Sequence, residues 1–397
     1  MKRYYITTVV VSTLMLLAFS LYYTPWKRFS SNETVKVGFI YDNDEITPYT
    51  YNFSLARDAL EKRYPGRVKV YVKSNVHEEE MEDPLRELAE SGCNIIFTNS
   101  YSSEFKKLAA EYPEIQFCQT SFSGVDLSIS PENYHSFNGA IYQGRYVSGI
   151  AAGMKLRQMI DSGAIASARD AVGYVGAFPT PEIISGYTAF LMGVRSVVPD
   201  ATMLVKYTGT WNSYSKERAS AAELIKAGCA VISQHVDTVG PAVACEEASQ
   251  ARSVCHVGYN QSMIDVAPNT SLVSTRINWT PYVTGAVEAL LEGRNIEDYV
   301  EGSLYGYNDM GAGFDKGWVE MLELNESIAV PGTQERITKA IEAFKRGGID
   351  VFRGDYRGVD PNDSSDTCDL SQGYPEGKTC SWTTFHYVLN DIITVLP

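Results

Sequence analysis

At 397 residues the chain is long enough for two or three domains, and its 44% hydrophobic and 21% charged residues exclude a disordered protein. The formal charge is −14; residues 1–30 hold four basic groups and no acid, so the remainder carries about −18. Without a basic stripe to grip phosphates, such a surface excludes nucleic acid as a partner and disfavours anionic nucleotides as ligands.

Lys2 and Arg3 precede an uncharged run, 6–23, that ends ahead of Lys27 and Arg28. This is the pattern of an export signal, and its length also reaches the lower limit for a membrane-spanning helix. Ala18-Phe19-Ser20 offers small residues for cleavage, whereas Phe19 and Tyr22-Tyr23 prolong the apolar run and favour an anchor with its basic end inside. No Cys lies near the end of the run, which excludes a lipid-modified cysteine as the tether. The expected location is extracytoplasmic, at the membrane if the helix is kept and secreted if it is cleaved.

From residue 35 apolar runs of four to seven residues alternate with helical patterns. Strands are expected at 35–41, 68–73, 94–99 and 115–120, with helices at 54–62, 79–91 and 102–112. A long helix with small residues, 140–161, closes this set. The rhythm then restarts, with strands at 172–178, 201–207, 230–235, 253–259 and 271–277 and helices at 181–197, 213–227, 242–251 and 281–292. Such alternation predicts βαβ units and parallel sheets. The expected fold is α/β, two doubly wound parallel-sheet lobes joined by a hinge. Lobe I covers 35–160 with a return over about 278–345, lobe II covers 171–277, and 346–397 is a C-terminal extension. Hinges are expected near 161–171 and 277–281.

Ligands of doubly wound sheets sit beyond the carboxyl ends of the strands. Those ends here carry Tyr101, Phe178, Trp211, Gln234, Asp237, Asn260, Asn278 and Trp279, a set of aromatic, amide and acid groups that suits a flat, hydrogen-bonding, uncharged solute. Each has a structural alternative: core packing for the rings, a helix cap for Asp237, a dipole-favoured first-turn acid for Glu182.

Seven cysteines follow the apolar run. Cys368 and Cys380 bracket a short polar loop and are the expected disulfide; each of the other five reads equally as a buried hydrophobe or half of a bridge. No pair has CxxC spacing. His77 beside Glu78-Glu79-Glu80 is an acidic first helical turn rather than a metal site, and GxSxG, HExxH and the phosphate-binding loop are absent. No metal, cofactor or catalytic residue is expected.

Read together, six segments resemble the basic membrane protein (BMP) family of ABC-transporter substrate-binding proteins, whose members bind purine nucleosides or related bases. They are Tyr49-Thr50-Tyr51, Tyr142-Gln143-Gly144-Arg145-Tyr146 with Gly149, Phe178-Pro179-Thr180-Pro181-Glu182, Trp211 ahead of Glu217-Arg218, Gln234-His235-Val236-Asp237, and Asn278-Trp279 with Pro281-Tyr282. The resemblance runs from about residue 35 to the end and implies a type 1 periplasmic-binding fold, a monomer that is not an enzyme, and an ABC permease as partner. It implies that Tyr49, Tyr51, Tyr101, Phe178, Glu182, Trp211, Gln234, Asp237, Asn260, Asn278 and Trp279 bind a nucleoside-like ligand, with the rings enclosing the purine. Four positions depart from the family pattern: Tyr49 stands for Trp, Phe53 for His, Asn260 for an Asp that holds ribose hydroxyls, and Ile277 for Trp or Lys. Two other readings remain: a membrane-anchored ligand sensor without transport that uses the same lobes, and a nucleoside hydrolase, which needs a cluster of Asp residues around a cation and finds only thin support in Asp42-Asn43-Asp44.

Overall fold

The computed structural model describes residues 33–121, 126–166 and 172–397. The expected signal or anchor lies outside them, and no helix among the described residues is long and apolar enough to cross a membrane.

The first lobe contains β1 (Val35–Ile40), β2 (Val68–Lys73), β3 (Ile95–Thr98), β4 (Gln116–Thr120) and β5 (Tyr134–Gly139). Its helices are α1 (Pro48–Arg63), α2 (Glu82–Glu90) and α3 (Glu104–Glu111). The second contains β6 (Val172–Gly176), β7 (Met203–Tyr207), β8 (Val231–His235), β9 (Cys255–Tyr259) and β10 (Ser271–Ile277). With it go α4 (Ile141–Asp161), α5 (Pro181–Arg195), α6 (Tyr214–Ala227) and α7 (Gly240–Ala248). After α8 (Thr280–Glu292) and α9 (Ile296–Tyr299), β11 (Ser303–Leu304) and β12 (Asp309–Ala312) join the first sheet and β13 (Val319–Met321) joins the second. Helix α10 (Thr333–Lys345) leads to a hairpin of β14 (Arg357–Asp360) and β15 (Asp363–Asp369), and the chain ends in β16 (Ile393–Leu396).

The first sheet has the order β11-β12-β5-β4-β3-β1-β2 and the second β13-β10-β9-β8-β6-β7-β16. All pairings within the two sheets are parallel except β11 with β12 and β10 with β13. Stripped of late additions, each sheet reads second strand, first, third, fourth, fifth. That order reverses direction between the first and third strands, and the reversal opens a crevice at their carboxyl ends. The expected α/β pair of doubly wound sheets is therefore what the chain forms.

Three placements differ from expectation. Helix α1 begins six residues early because Pro48 fits its first turn, where a missing N–H costs nothing. Helix α4 packs on α5 and β10 of the second lobe, so the chain crosses at Gly139–Ala140 rather than near 161–171. That crossing runs beside two others: Asn278 N donates to Trp318 O and Ala140 N to Ala312 O. Residues 346–397 are not a mere appendage, since β16 pairs with β7 at the edge of the second sheet. A four-residue strand after a polar stretch carries too little periodicity to be read.

The seven cysteines are all free thiols. The expected Cys368–Cys380 bridge does not form: Cys368 sits on β15, while the Cys380 thiol, on a separate loop, donates to Trp382 O.

Candidate functional site

The two switch points face one another across a cleft of about 780 Å3. From the first lobe come Asp42 after β1, Asn99 to Tyr101 after β3 and Ser121 after β4; Tyr49 is on the first turn of α1. From the second come Phe178 and Glu182 after β6, Trp211 after β7, Asp237 after β8 and Tyr259 at the end of β9. A second recess, of about 660 Å3, lies at the amino-terminal edge of the first sheet, beside Gln116, Asn133 and Asn308. Doubly wound sheets bind at the opposite edge, which selects the interlobe cleft.

On the first-lobe wall Asp42 is the organising group. Its Oδ1 accepts from Asn99 Nδ2 (2.8 Å) and Thr50 Oγ1 (3.1 Å), and its backbone N donates to Asn99 Oδ1 (3.0 Å). Burial raises its pKa while these donors lower it. Burial also holds the Tyr49 phenol well above its usual range, so it remains a neutral donor.

On the second-lobe wall Phe178 and Trp211 form an edge-to-face pair with centroids 5.9 Å apart. Beneath them lies His235, fully buried, with Nε2 3.4 Å from a Glu182 carboxylate oxygen. Burial, and then the charge of Arg145, lower its pKa to about 4, so the imidazole is neutral at pH 7 and the contact is not an ion pair. Burial pushes Asp237 far up, and the charges of Asp42, Glu217 and Glu182 add to this. The Oδ1 of Asp237 has no hydrogen-bond partner among the described residues. A buried polar atom aimed at a cleft is a group that a ligand can satisfy.

Six expected residues meet in the cleft: Tyr49, Tyr101, Phe178, Glu182, Trp211 and Asp237. Five lie elsewhere. Tyr51 is two residues beyond Tyr49, and on a helix that spacing turns it to solvent. Gln234 is buried, donating to Val236 O and Thr238 O and accepting from or donating to His256 Nε2 (2.9 Å). Asn278 precedes α8, where it accepts from Thr280 N and donates to Gly317 O. Trp279 is 1% exposed, against Phe53 (4.8 Å), Phe137 (5.5 Å) and the cleft residue Tyr49 (6.1 Å). Asn260, at φ 63°, accepts from Asn52 Nδ2 of α1 at its backbone carbonyl (3.1 Å) and its Oδ1 (3.2 Å), contacts that join the lobes.

Several cleft residues were missed. Asp42, Asn99, Ser121 and Tyr259 all obey the strand-end rule, but position alone does not say which side chain turns inward. Tyr259 is set by the buried Arg145, whose guanidinium lies 3.9 Å from its ring centroid and donates to Gln234 O (2.8 Å). Trp382 and Thr383 reach the cleft from the C-terminal segment, for which no sequence signal existed.

That segment is organised by Glu376, which accepts from Phe385 N (2.8 Å), Thr384 Oγ1 (2.9 Å) and Thr384 N (3.2 Å). Burial outweighs these donors and raises its pKa from 4.5 to about 7. A raised carboxyl stabilises the fold fully below pH 4.5, and that contribution, at most about 3 kcal/mol, is lost as pH rises to 7. Glu376→Gln should therefore flatten the fall in unfolding free energy between pH 4.5 and 7. Denaturant titrations of both proteins that stay parallel across this range would rule out such a linkage.

Away from the cleft, Asp360, Asp366 and His386 bring ligand atoms within 4.8 Å of one another. His386 Nε2 faces Asp366 (3.4 Å) and Asp360 (3.8 Å).

Known proteins share this architecture. The family model described as Bmp, ABC transporter substrate-binding protein PnrA-like, matches residues 34–349. A purine-binding protein of Brucella abortus is 28% identical over 334 residues, 82% of this chain and 85% of that one. A Haloferax volcanii protein, provisionally named as an ABC transporter glucose-binding protein, is 27% identical over 311 residues, 78% of this chain and 73% of that one. In shape, an ABC transporter solute-binding protein from Aeropyrum pernix superimposes with a TM-score of 0.64 at 15% identity, covering 83% of this chain and 95% of that one.

Proposed function

This chain belongs to the Bmp family of PnrA-like ABC transporter substrate-binding proteins, and from that premise we propose that its solute is a neutral purine nucleoside or a closely related base. Relatives and fold are those of a substrate-binding protein rather than an enzyme, and a protein of this kind works outside the cytoplasm with a membrane permease.

The observation that carries the ligand reading is the composition of the cleft. Phe178, Trp211, Tyr49 and Tyr259 offer aromatic surface, while Asp42, Glu182 and Asp237 offer acceptors, and neither Lys nor Arg is among the described residues that line it. Aromatic surface suits a planar ring, and stacking of a base contributes about 1–3 kcal/mol. Carboxyl oxygens suit exocyclic amines and ribose hydroxyls. A phosphate would enter without a compensating cation, which disfavours nucleotides. In this reading the lobes of a single copy close on the solute by flexing at the three parallel crossings.

The test is a thermal-shift panel on the full-length chain with adenosine, guanosine, inosine, hypoxanthine, AMP and glucose. At about 100-fold saturation a nucleoside should add about 2.7 kcal/mol of stability, with AMP far weaker. Silence towards every purine, or a larger shift with glucose, would falsify the assignment.

A further inference from the structure

We propose that Trp382, on the C-terminal segment that follows the family-matching residues, is a wall of the solute site and a specificity determinant. The inference rests on the purine reading above. The match to the family ends at residue 349, yet Trp382 and Thr383 line the same cleft as Asp42, Phe178 and Trp211.

Their placement is built rather than incidental. One residue before Trp382, Ser381 N donates to the buried Asp309 Oδ2 (2.8 Å), and the Ser381 hydroxyl meets that of Ser121, itself a cleft residue. Two residues before, the Cys380 thiol donates to the Trp382 carbonyl (3.4 Å). Beyond it, Thr384 and Phe385 are held by Glu376, and Tyr305 OH grips Gly377 O (2.7 Å) at the start of the loop. The segment is thus tied to the first sheet around Trp382, and to the second lobe through β16 on β7 and through Tyr356 OH, which accepts from Arg195 Nε at the end of α5 (3.2 Å). A loop secured at so many points presents its side chains in one geometry, which reduces the ordering cost of binding.

The ring is half-buried, packed on the apolar cluster of Ile40, Phe105 and Tyr134 while also lining the cleft. Trp382 is held by first-lobe groups, whereas Phe178 and Trp211 come from the second lobe. Aromatic surface is therefore supplied to the cleft from both sides, and an indole adds an N–H donor to its π-face. A solute seated between them is enclosed by a segment beyond the family match, so its selectivity should differ from that of a relative without one.

The experiment is calorimetric titration of the full-length chain with adenosine, guanosine and inosine, comparing Trp382→Ala, Trp382→Leu and Trp382→Phe, with Phe178→Ala alongside. Leu keeps apolar packing without a ring, and Phe keeps the ring. Expected are about 5- to 100-fold weaker binding for Ala and Leu, and retention within about threefold for Phe. Melting temperatures of Leu and Phe variants should match the parent. If Trp382→Leu binds like the parent while Phe178→Ala does not, the wall is structural only and this inference is overturned alone. If the parent binds none of the three nucleosides, both this inference and the purine reading fall together.

Discussion

Trp279→Ala is expected to destabilise the protein by about 3–5 kcal/mol, whereas Phe178→Ala should leave the fold intact and weaken solute binding about 5- to 100-fold. Both residues follow strands of the second sheet, and the resemblance assigns both to the ligand. The structure separates them. Trp279 is 1% exposed and locked among Phe53, Phe137 and Tyr49, so truncation opens a cavity that close-packed neighbours cannot refill. Phe178 is partly exposed and lines the cleft beside Trp211, so truncation removes a contact surface but little buried volume. Chemical denaturation with nucleoside titration resolves the pair. A Trp279→Ala protein of unchanged stability that no longer binds would return Trp279 to the ligand site.

Gly193→Ala should be the most damaging single-methyl change in the second lobe, costing about 3 kcal/mol even though alanine is the better helix former by about 1 kcal/mol. A Cβ there would sit 2.0 Å from Tyr146 O and 3.0 Å from the Gly149 backbone. The reciprocal contact is equally tight, since a Cβ on Gly149 would sit 2.1 Å from Phe190 O. Helices α4 and α5 therefore meet backbone to backbone, and the obstacle is a carbonyl that cannot rotate away as a side chain would. Gly285→Ala in α8 is the matched control. There the nearest atom is a Val300 methyl at 3.1 Å, so the change should be close to neutral. Equal denaturation midpoints for the two variants would refute the close-crossing account. Because α4 follows directly on the Gly139–Ala140 crossing, a displaced α4 should also disturb the cleft through Arg145, whose guanidinium holds Tyr259.

The strand-end rule leads to the interlobe cleft, because it follows from topology. A sheet that doubles back must open where the order reverses, and Asp42, Asn99, Phe178 and Asp237 stand at those points. It failed on side-chain direction. Tyr49 and Tyr51 share one motif, yet the helix that starts at Pro48 turns one to the cleft and the other to solvent. Gln234 and Asn278 carry the expected chemistry, but local backbone groups consume their hydrogen-bonding capacity.

By itself the sequence determined two parallel α/β lobes, because short apolar runs alternating with amphipathic helices can bury their faces only in that way. It also determined an acidic chain, and it pointed to strand ends of aromatic and amide character. Only the tertiary structure decided which aromatics line the cleft and which form the core, since burial is a property of what the rest of the chain brings alongside. Only it showed that the last fifty residues return to both lobes and place Trp382 in the cleft. Those contacts join positions far apart in the chain through single hydrogen bonds and a four-residue strand, and neither leaves a periodic trace in the sequence.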